Sequence, residues 1–498
     1  MIRALVTIGT LQFVSMLLLF ARTKILAVML GPEAVGTIAV IDKLTAVIVG
    51  TLSMSLPFAA LRFLPAALRE SPQAMDVLYR RMRTVLVATI VPATLICIAV
   101  SLAAPSTWGR ELAAHQRVLL LAFAGMPVIA LVPFLTNAYA GSMEHSRAMR
   151  FTIAHASVLV VAALTAGFGY GLAGFYGVYV VLGAVLVAVA ARSLVRLNRA
   201  DRTAISLKQL FRLPGVIWRF SAALITLGFA SPYAALFVQY TALTLYGAAG
   251  SGILQSAIGI SLAVRVLLGT AHGVFLTPHV NREGDPAARM AWANEFQRAT
   301  VLLFIIALPP LLLFPDVALR VMYSGKFVGA SVFVALFIAA EVLTLLSGTY
   351  QSLIIAGDRM LFHVLQNLVA QALLIGVAAF VMPRLGLAGA GLAALAAPLF
   401  LFGSTLLFLR RRYDIHVSRE AALMALVTVG ILAVGGAIGS RYPGVSPGLL
   451  AAKTAACTLI WLTAYTVMPA PDRARLRGGG VRLRQEVLAR TARLTGTA

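Results

Sequence analysis

Along this chain, long apolar stretches alternate with short polar clusters that are rich in basic residues, glycine and proline. A helix crossing the roughly 30 Å hydrocarbon core of a bilayer needs about 20 mostly apolar residues. Cutting the sequence at Gly, Pro and charge clusters gives fourteen runs that meet this length: 4 to 30, 35 to 61, 84 to 104, 117 to 140, 151 to 169, 172 to 191, 219 to 243, 249 to 272, 299 to 317, 329 to 355, 361 to 382, 386 to 409, 421 to 439 and 447 to 468. The first begins like a secretory signal, with Arg3 ahead of an apolar stretch. It continues past Phe20 to a Gly31-Pro32 turn without a convincing small-residue cleavage site, so it reads as a span. The pattern predicts an all-α polytopic membrane protein of about fourteen transmembrane helices.

Composition agrees and excludes other classes. Of the 498 residues 60% are hydrophobic and 12% charged, and the mean hydropathy is +0.92, which rules out a water-soluble globular fold. The 41 basic against 17 acidic residues give +24. A nucleic-acid binder would gather such charge on one solvated face, whereas here it sits in clusters between apolar runs, so no nucleic-acid partner is expected. Cys97 and Cys457 each lie inside an apolar run, which leaves no disulfide framework, and no spacing suggests a metal site or a cofactor.

The positive-inside bias predicts orientation. With the N-terminus in the cytoplasm, 30 of the 41 basic residues fall on inner segments. Only Arg110, Arg117, Arg320, Lys326, Arg384 and Arg441 fall on outer ones. Both termini are therefore expected on the cytoplasmic side of the membrane, with an even number of helices. The loops are too short for a soluble catalytic domain, so no enzyme is expected. The tail 469 to 498, with seven Arg, reads as an ordinary basic cytoplasmic segment or a dock for anionic lipid.

An internal repeat is visible. Gly31 and Gly36 reappear as Gly247 and Gly252, Ala140-Gly141 as Ala356-Gly357, and Gly171-Leu-Ala-Gly174 as Gly386-Leu-Ala-Gly389, while Pro72 and Arg83 match Pro286 and Arg298, all at offsets of about 215. The expected organisation is two six-helix halves, 1 to 205 and 206 to 412, then two extra helices in 413 to 468 and the tail. Because six is even, the halves enter the membrane in the same direction. A pseudo-two-fold axis along the membrane normal follows, as in parallel-repeat transporters with alternating access.

Ionisable residues at membrane depth are costly and usually face a cavity or a partner. They are Arg22 and Lys24 in the first run, Asp42 and Lys43 in the second, Arg265 in the eighth, Glu341 in the tenth and Lys453 in the fourteenth. At about 1.5 Å per residue, Arg22 and Asp42 lie at similar depth below the Gly31-Pro32 turn, which predicts a contact between them. That pair could be purely structural, and Lys24 and Lys43 could snorkel to the interface. Against a scaffold role, neither half's charges recur at the equivalent positions of the other. The first twelve runs hold Arg22, Lys24, Lys43 and Arg265 against Asp42 and Glu341, a basic surplus that favours an anionic substrate, and arginine suits phosphate. Asn137, Gln239, Gln255, Gln366, Asn367 and Gln371 could meet sugar hydroxyls, or equally bond neighbouring helices. His155, His272 and His363 show no ligand spacing.

The segment Arg22-Thr-Lys24-Ile-Leu-Ala-Val-Met-Leu-Gly31-Pro32-Glu33-Ala-Val-Gly36, with its echo Leu245-Tyr246-Gly247 to Gly252 and the turn Leu385-Gly386-Leu-Ala-Gly389-Ala-Gly391, resembles the polysaccharide, O-antigen-type branch of the multidrug/oligosaccharidyl-lipid/polysaccharide (MOP) flippase superfamily. The resemblance implies a flippase carrying undecaprenyl-diphosphate-linked oligosaccharide to the outer leaflet. It also implies that Arg22, Lys24 and Arg265 serve the diphosphate in a central cavity, and that polymerases or glycosyltransferases of the same route are partners. Leu56-Pro57-Phe58 to Phe63 lacks the Pro-Asn-Leu pattern and arginine pair of the lipid II branch, which argues against lipid II. The alternatives are a multidrug exporter of the same fold, driven by Na⁺ or H⁺ through Asp42 or Glu341, a membrane glycosyltransferase or polymerase, and a scaffold protein.

Overall fold

Within lipid a spanning segment must satisfy its own backbone, so a long apolar run without a sheet partner becomes a helix. The computed structural model describes residues 2–197, 211–271, 276, 280, 285–356, 359–413, 417–442, 444, 446–468, 470 and 473, and these are helical nearly throughout. The tail 469 to 498 apart from 470 and 473, His272, and the 205/206 boundary of the expected halves lie outside the described residues. In order the helices are α1 Ile2–Met29, α2 Gly31–Leu52, α3 Leu56–Glu70, α4 Pro72–Ala103, α5 Arg110–Ala113, α6 Gln116–Ala124, α7 Met126–Gly141, α8 His145–Thr165, α9 Gly171–Leu197, α10 Gly215–Ala271, α11 Pro286–Leu313, α12 Pro315–Met322, α13 Ser331–Ala356, α14 Met360–Leu385, α15 Leu387–Tyr413, α16 Arg419–Arg441 and α17 Pro447–Val467. The fourteen runs fall on helical structure, the second, fourth and ninth each divided between two helices, and eleven stretches of the described residues are long and apolar enough to cross a membrane.

Local signals set the ends. Ser71, Asp285 and Ser446 each cap a helix whose next residue is a proline, their side chains accepting from backbone N–H groups of the first turn. The continuous α10 holds the seventh and eighth runs, broken where Gly247 takes φ +70°, a conformation that only glycine adopts freely. The second run differs from expectation. It ends at Leu52, where Met54 and Ser55 adopt left-handed backbone conformations, and its remainder becomes the separate α3. Arg62 and Arg69 thus lie on α3 and Arg80, Arg81 and Arg83 on α4, rather than in an open inner loop. Pro57 at the start of α3 favours this restart, because its fixed φ suits a first turn.

The helices form two compact units. One comprises Met1–Gly259, Leu319–Ala330 and Met360–Ala397; in it α1 packs on α8, α3 on α4 and α7, and α8 on α9. The other comprises Ile260–Ala318, Ser331–Arg359 and Pro398–Ala498. There α11, α13 and α16 pack together, and α17 joins them through α11. In this second unit Lys453 and Asp316, both fully buried, pair at 3.4 Å. The Gly444 carbonyl accepts from Lys453 at 3.2 Å and the Gly444 N–H donates to Asp316 at 3.2 Å.

Candidate functional site

The first unit gathers most of the intramembrane charge around α1 and α2. Arg22 Nη2 donates to Asp42 Oδ2 at 3.3 Å, the contact expected from their common depth. Two aromatic residues of α9 complete the pair. Tyr176 donates its hydroxyl to Asp42 Oδ1 at 2.8 Å, and the Phe175 ring lies 5.1 Å below the Arg22 guanidinium. Both aromatic residues are buried. Asp42 is thereby held by a cation and a hydroxyl, and Arg22 by a carboxylate and a π face. The arrangement is incomplete on one side: Arg22 Nε is buried and has no hydrogen-bond partner among the described residues.

Beside this pair lies a cavity of about 80 Å³ lined by Arg22, Thr23, Leu26, Val35, Ile38, Ala39, Asp42, Gln255 and Tyr323. A water needs roughly 10–15 Å³ of such space, so this volume takes several waters or one small anionic group, not a sugar chain. Tyr323 precedes the turn Gly325–Ala330. Burial pushes its phenol up, against the opposing pull of Arg22, so it stays a hydroxyl donor at neutral pH.

Lys43, next to Asp42, points into a different set of partners. Its ammonium donates to Gln239 Oε1 at 3.2 Å and to Gln255 Oε1 at 2.7 Å, both on α10. Gln239 is fully buried and passes its own Nε2 to the Ser251 carbonyl and hydroxyl, each at 2.7 Å. Lys24 donates to the Arg320 carbonyl at 2.6 Å. In the second unit Arg265 and Glu341 form a two-bonded ion pair, Nε to Oε2 at 2.5 Å and Nη2 to Oε1 at 2.7 Å.

The remaining polar positions separate. Asn137 donates to the Pro57 carbonyl at 3.0 Å and Asn367 to the His363 carbonyl of its own helix at 2.8 Å, both satisfying backbone. Gln366 is buried and Gln371 half-buried. His155 stands 3.4 Å from the Tyr179 hydroxyl. Sequence reasoning missed Phe175, Tyr176, Ser251 and Tyr323. An aromatic residue in an apolar run looks the same whether it faces lipid or a charge, and only the depth argument used for Arg22 and Asp42 could have directed attention to Tyr176.

No family model matches the sequence, and no curated protein matches it either. Solved structures do. A MATE-family multidrug resistance transporter of the MOP superfamily, in an inward-facing conformation, aligns with TM-score 0.65 at 15% identity over 80% of this chain and 94% of its own. The lipid II flippase MurJ, in an inward closed conformation, aligns with TM-score 0.70 at 12% identity, covering 93% of this chain and 98% of its own. A MOP superfamily transporter from Pyrococcus furiosus, described by the reverse polarity of its binding pocket, aligns with TM-score 0.54 at 15% identity over 82% and 95%. The chain therefore has the fold found in MOP-superfamily transporters, multidrug exporters and a lipid flippase alike.

Proposed function

We propose that the protein flips a polyprenyl-diphosphate-linked oligosaccharide from the inner to the outer leaflet of a bacterial cytoplasmic membrane by alternating access, in the synthesis of a cell-surface polysaccharide. The observation that carries this reading is the Arg22 guanidinium in the wall of a polar cavity, its buried Nε without a hydrogen-bond partner among the described residues. A cation held in place yet short of an acceptor is suited to receive a phosphate oxygen. Lys24 lies two residues along the same helix, and Arg265 supplies a further cation in the second unit. Asp42 and Glu341 hold the two arginines in position, and of the six carboxamides read as sugar contacts Gln255 lines the cavity, whereas Asn137, Asn367 and Gln239 are engaged by other protein groups. The expected organisation is two six-helix halves, 1 to 205 and 206 to 412, rocking about an axis along the membrane normal, with 413 to 468 as two additional helices and 469 to 498 as the inner tail. Membrane lipids, a polymerase and glycosyltransferases of the same route would be its partners.

Deletion in the native host tests the function. The expected result is loss of surface glycan with intact lipid-linked precursor trapped on the inner face. Normal surface glycan with raised sensitivity to cationic drugs would instead identify an exporter driven through Asp42 or Glu341. For the sites, Arg22→Ala and Arg265→Ala should each abolish complementation while the protein inserts at normal abundance. Abundance falling in step with activity would make these residues structural.

A further inference from the structure

A close helix crossing in the first unit joins two glycines that occupy equivalent places in the sequence repeat. A Cβ on Gly36 of α2 would stand 2.0 Å from the Ala248 carbonyl oxygen and 2.6 Å from the Gly252 nitrogen. One on Gly252 of α10 would stand 1.9 Å from the Pro32 carbonyl oxygen. Backbone touches backbone at this point, and no side chain can enter while the crossing is closed.

A continuous chain of polar contacts links this crossing to the charged cavity. Gln255, a wall residue of the cavity, accepts from Lys43 at 2.7 Å. The same ammonium reaches Gln239 at 3.2 Å, Gln239 holds Ser251 at 2.7 Å, and the Ser251 hydroxyl reaches the Gly36 carbonyl at 3.4 Å. Gln239 and Ser251 are fully buried. Among the described residues the central cation of this chain of contacts has no carboxylate as a hydrogen-bond acceptor. It is held by two neutral carboxamide oxygens, which are weaker partners for an ammonium than an anionic oxygen.

We propose that Lys43 is a trigger: an anionic phosphate group entering the Arg22 cavity draws the Lys43 ammonium off Gln255 and Gln239, and the released Gln239–Ser251 arm frees the Gly36–Gly252 crossing to open. This deepens the flippase reading and rests on it for the identity of the anion. Arg22 acts as the binding residue. Lys43 couples occupancy to shape, because it can satisfy either the carboxamides of the closed crossing or the incoming phosphate. An anion admits the larger glycan only by changing the crossing.

The test uses the full chain in lipid nanodiscs with Cys97→Ala and Cys457→Ala, spin labels at Glu33→Cys and Leu245→Cys on the exposed turns beside the crossing, and inorganic pyrophosphate as the probe. Pyrophosphate should lengthen the label distance. Gln239→Leu should lengthen it without pyrophosphate, shifting the closed-to-open ratio roughly tenfold or more, the size expected for losing a hydrogen bond to a charged group. Lys43→Met should still bind pyrophosphate through Arg22, with a label distance that no longer depends on it. A Lys43→Met response equal to that of the unsubstituted chain overturns the trigger and leaves the diphosphate reading standing. Absence of pyrophosphate binding to the unsubstituted chain overturns the diphosphate reading and the trigger together. If Lys43→Met does not accumulate, an unchanged ligand-free distance in Gln239→Leu overturns the proposal by itself.

Discussion

At the scale of single residues, the sequence marks which side chains are out of place in lipid, and packing decides what each one does. Arg22 and Asp42 were legible as a pair because depth is arithmetic on a helix of known rise. Tyr176 and Phe175 were not, since their roles depend on which face of α9 turns toward Asp42. Tyr176→Phe keeps the ring and removes one donor from Asp42. It should lower transport roughly tenfold or more with little change in abundance, the loss of about 1.5–3 kcal/mol expected for a hydrogen bond to a charged group; a reconstituted transport assay beside a membrane-fraction immunoblot measures both. Arg22→Lys retains the charge but not the planar fork that lies over Phe175 and reaches Asp42. Transport by Arg22→Lys should therefore recover only in part relative to Arg22→Ala, and full recovery would show that a point charge suffices.

At the scale of elements, helix ends were written locally. Ser71-Pro72, Asp285-Pro286 and Ser446-Pro447 are cap signatures that the structure uses as such. The break after Leu52 was less visible, because Met54 and Ser55 are not residues that advertise a left-handed turn and the apolar pattern continues across them. The last helix illustrates a charge whose purpose only packing reveals. Lys453 reads from sequence as one more intramembrane cation, yet it closes a buried pair with Asp316 and ties α17 to the segment following α11. Lys453→Met leaves Asp316 buried without its cation. It should cost about 3–5 kcal/mol, seen as strongly reduced folded yield by fluorescence-detected size exclusion. Adding Asp316→Leu should restore most of that yield, because an apolar replacement of both partners removes the uncompensated charge. A double variant no better than the single one would show that the pair is not the tie.

At the scale of the whole molecule, the distribution of basic residues predicts that both termini share the cytoplasmic side. Green fluorescent protein fused after Ala498 should fluoresce, and alkaline phosphatase fused there should be inactive; phosphatase fused after Arg110 should be active. The reverse pattern would invert the chain and with it the direction of transport. Apolar run length, helix-end signals and the excess of inner basic residues are one-dimensional quantities. For that reason the sequence by itself determined that this is a polytopic helical membrane protein, where most of its spans lie, and which charges fall within them, though not the break after Leu52. The partners of those charges were decided by the tertiary structure alone. Whether Lys43 meets Asp42 or two carboxamides, and whether Lys453 serves a cavity or a tie, depends on helix rotation and crossing, which arise from contacts between segments far apart in the chain. Close packing at points such as Gly36 and Gly252 fixes those rotations, and a linear pattern does not contain them.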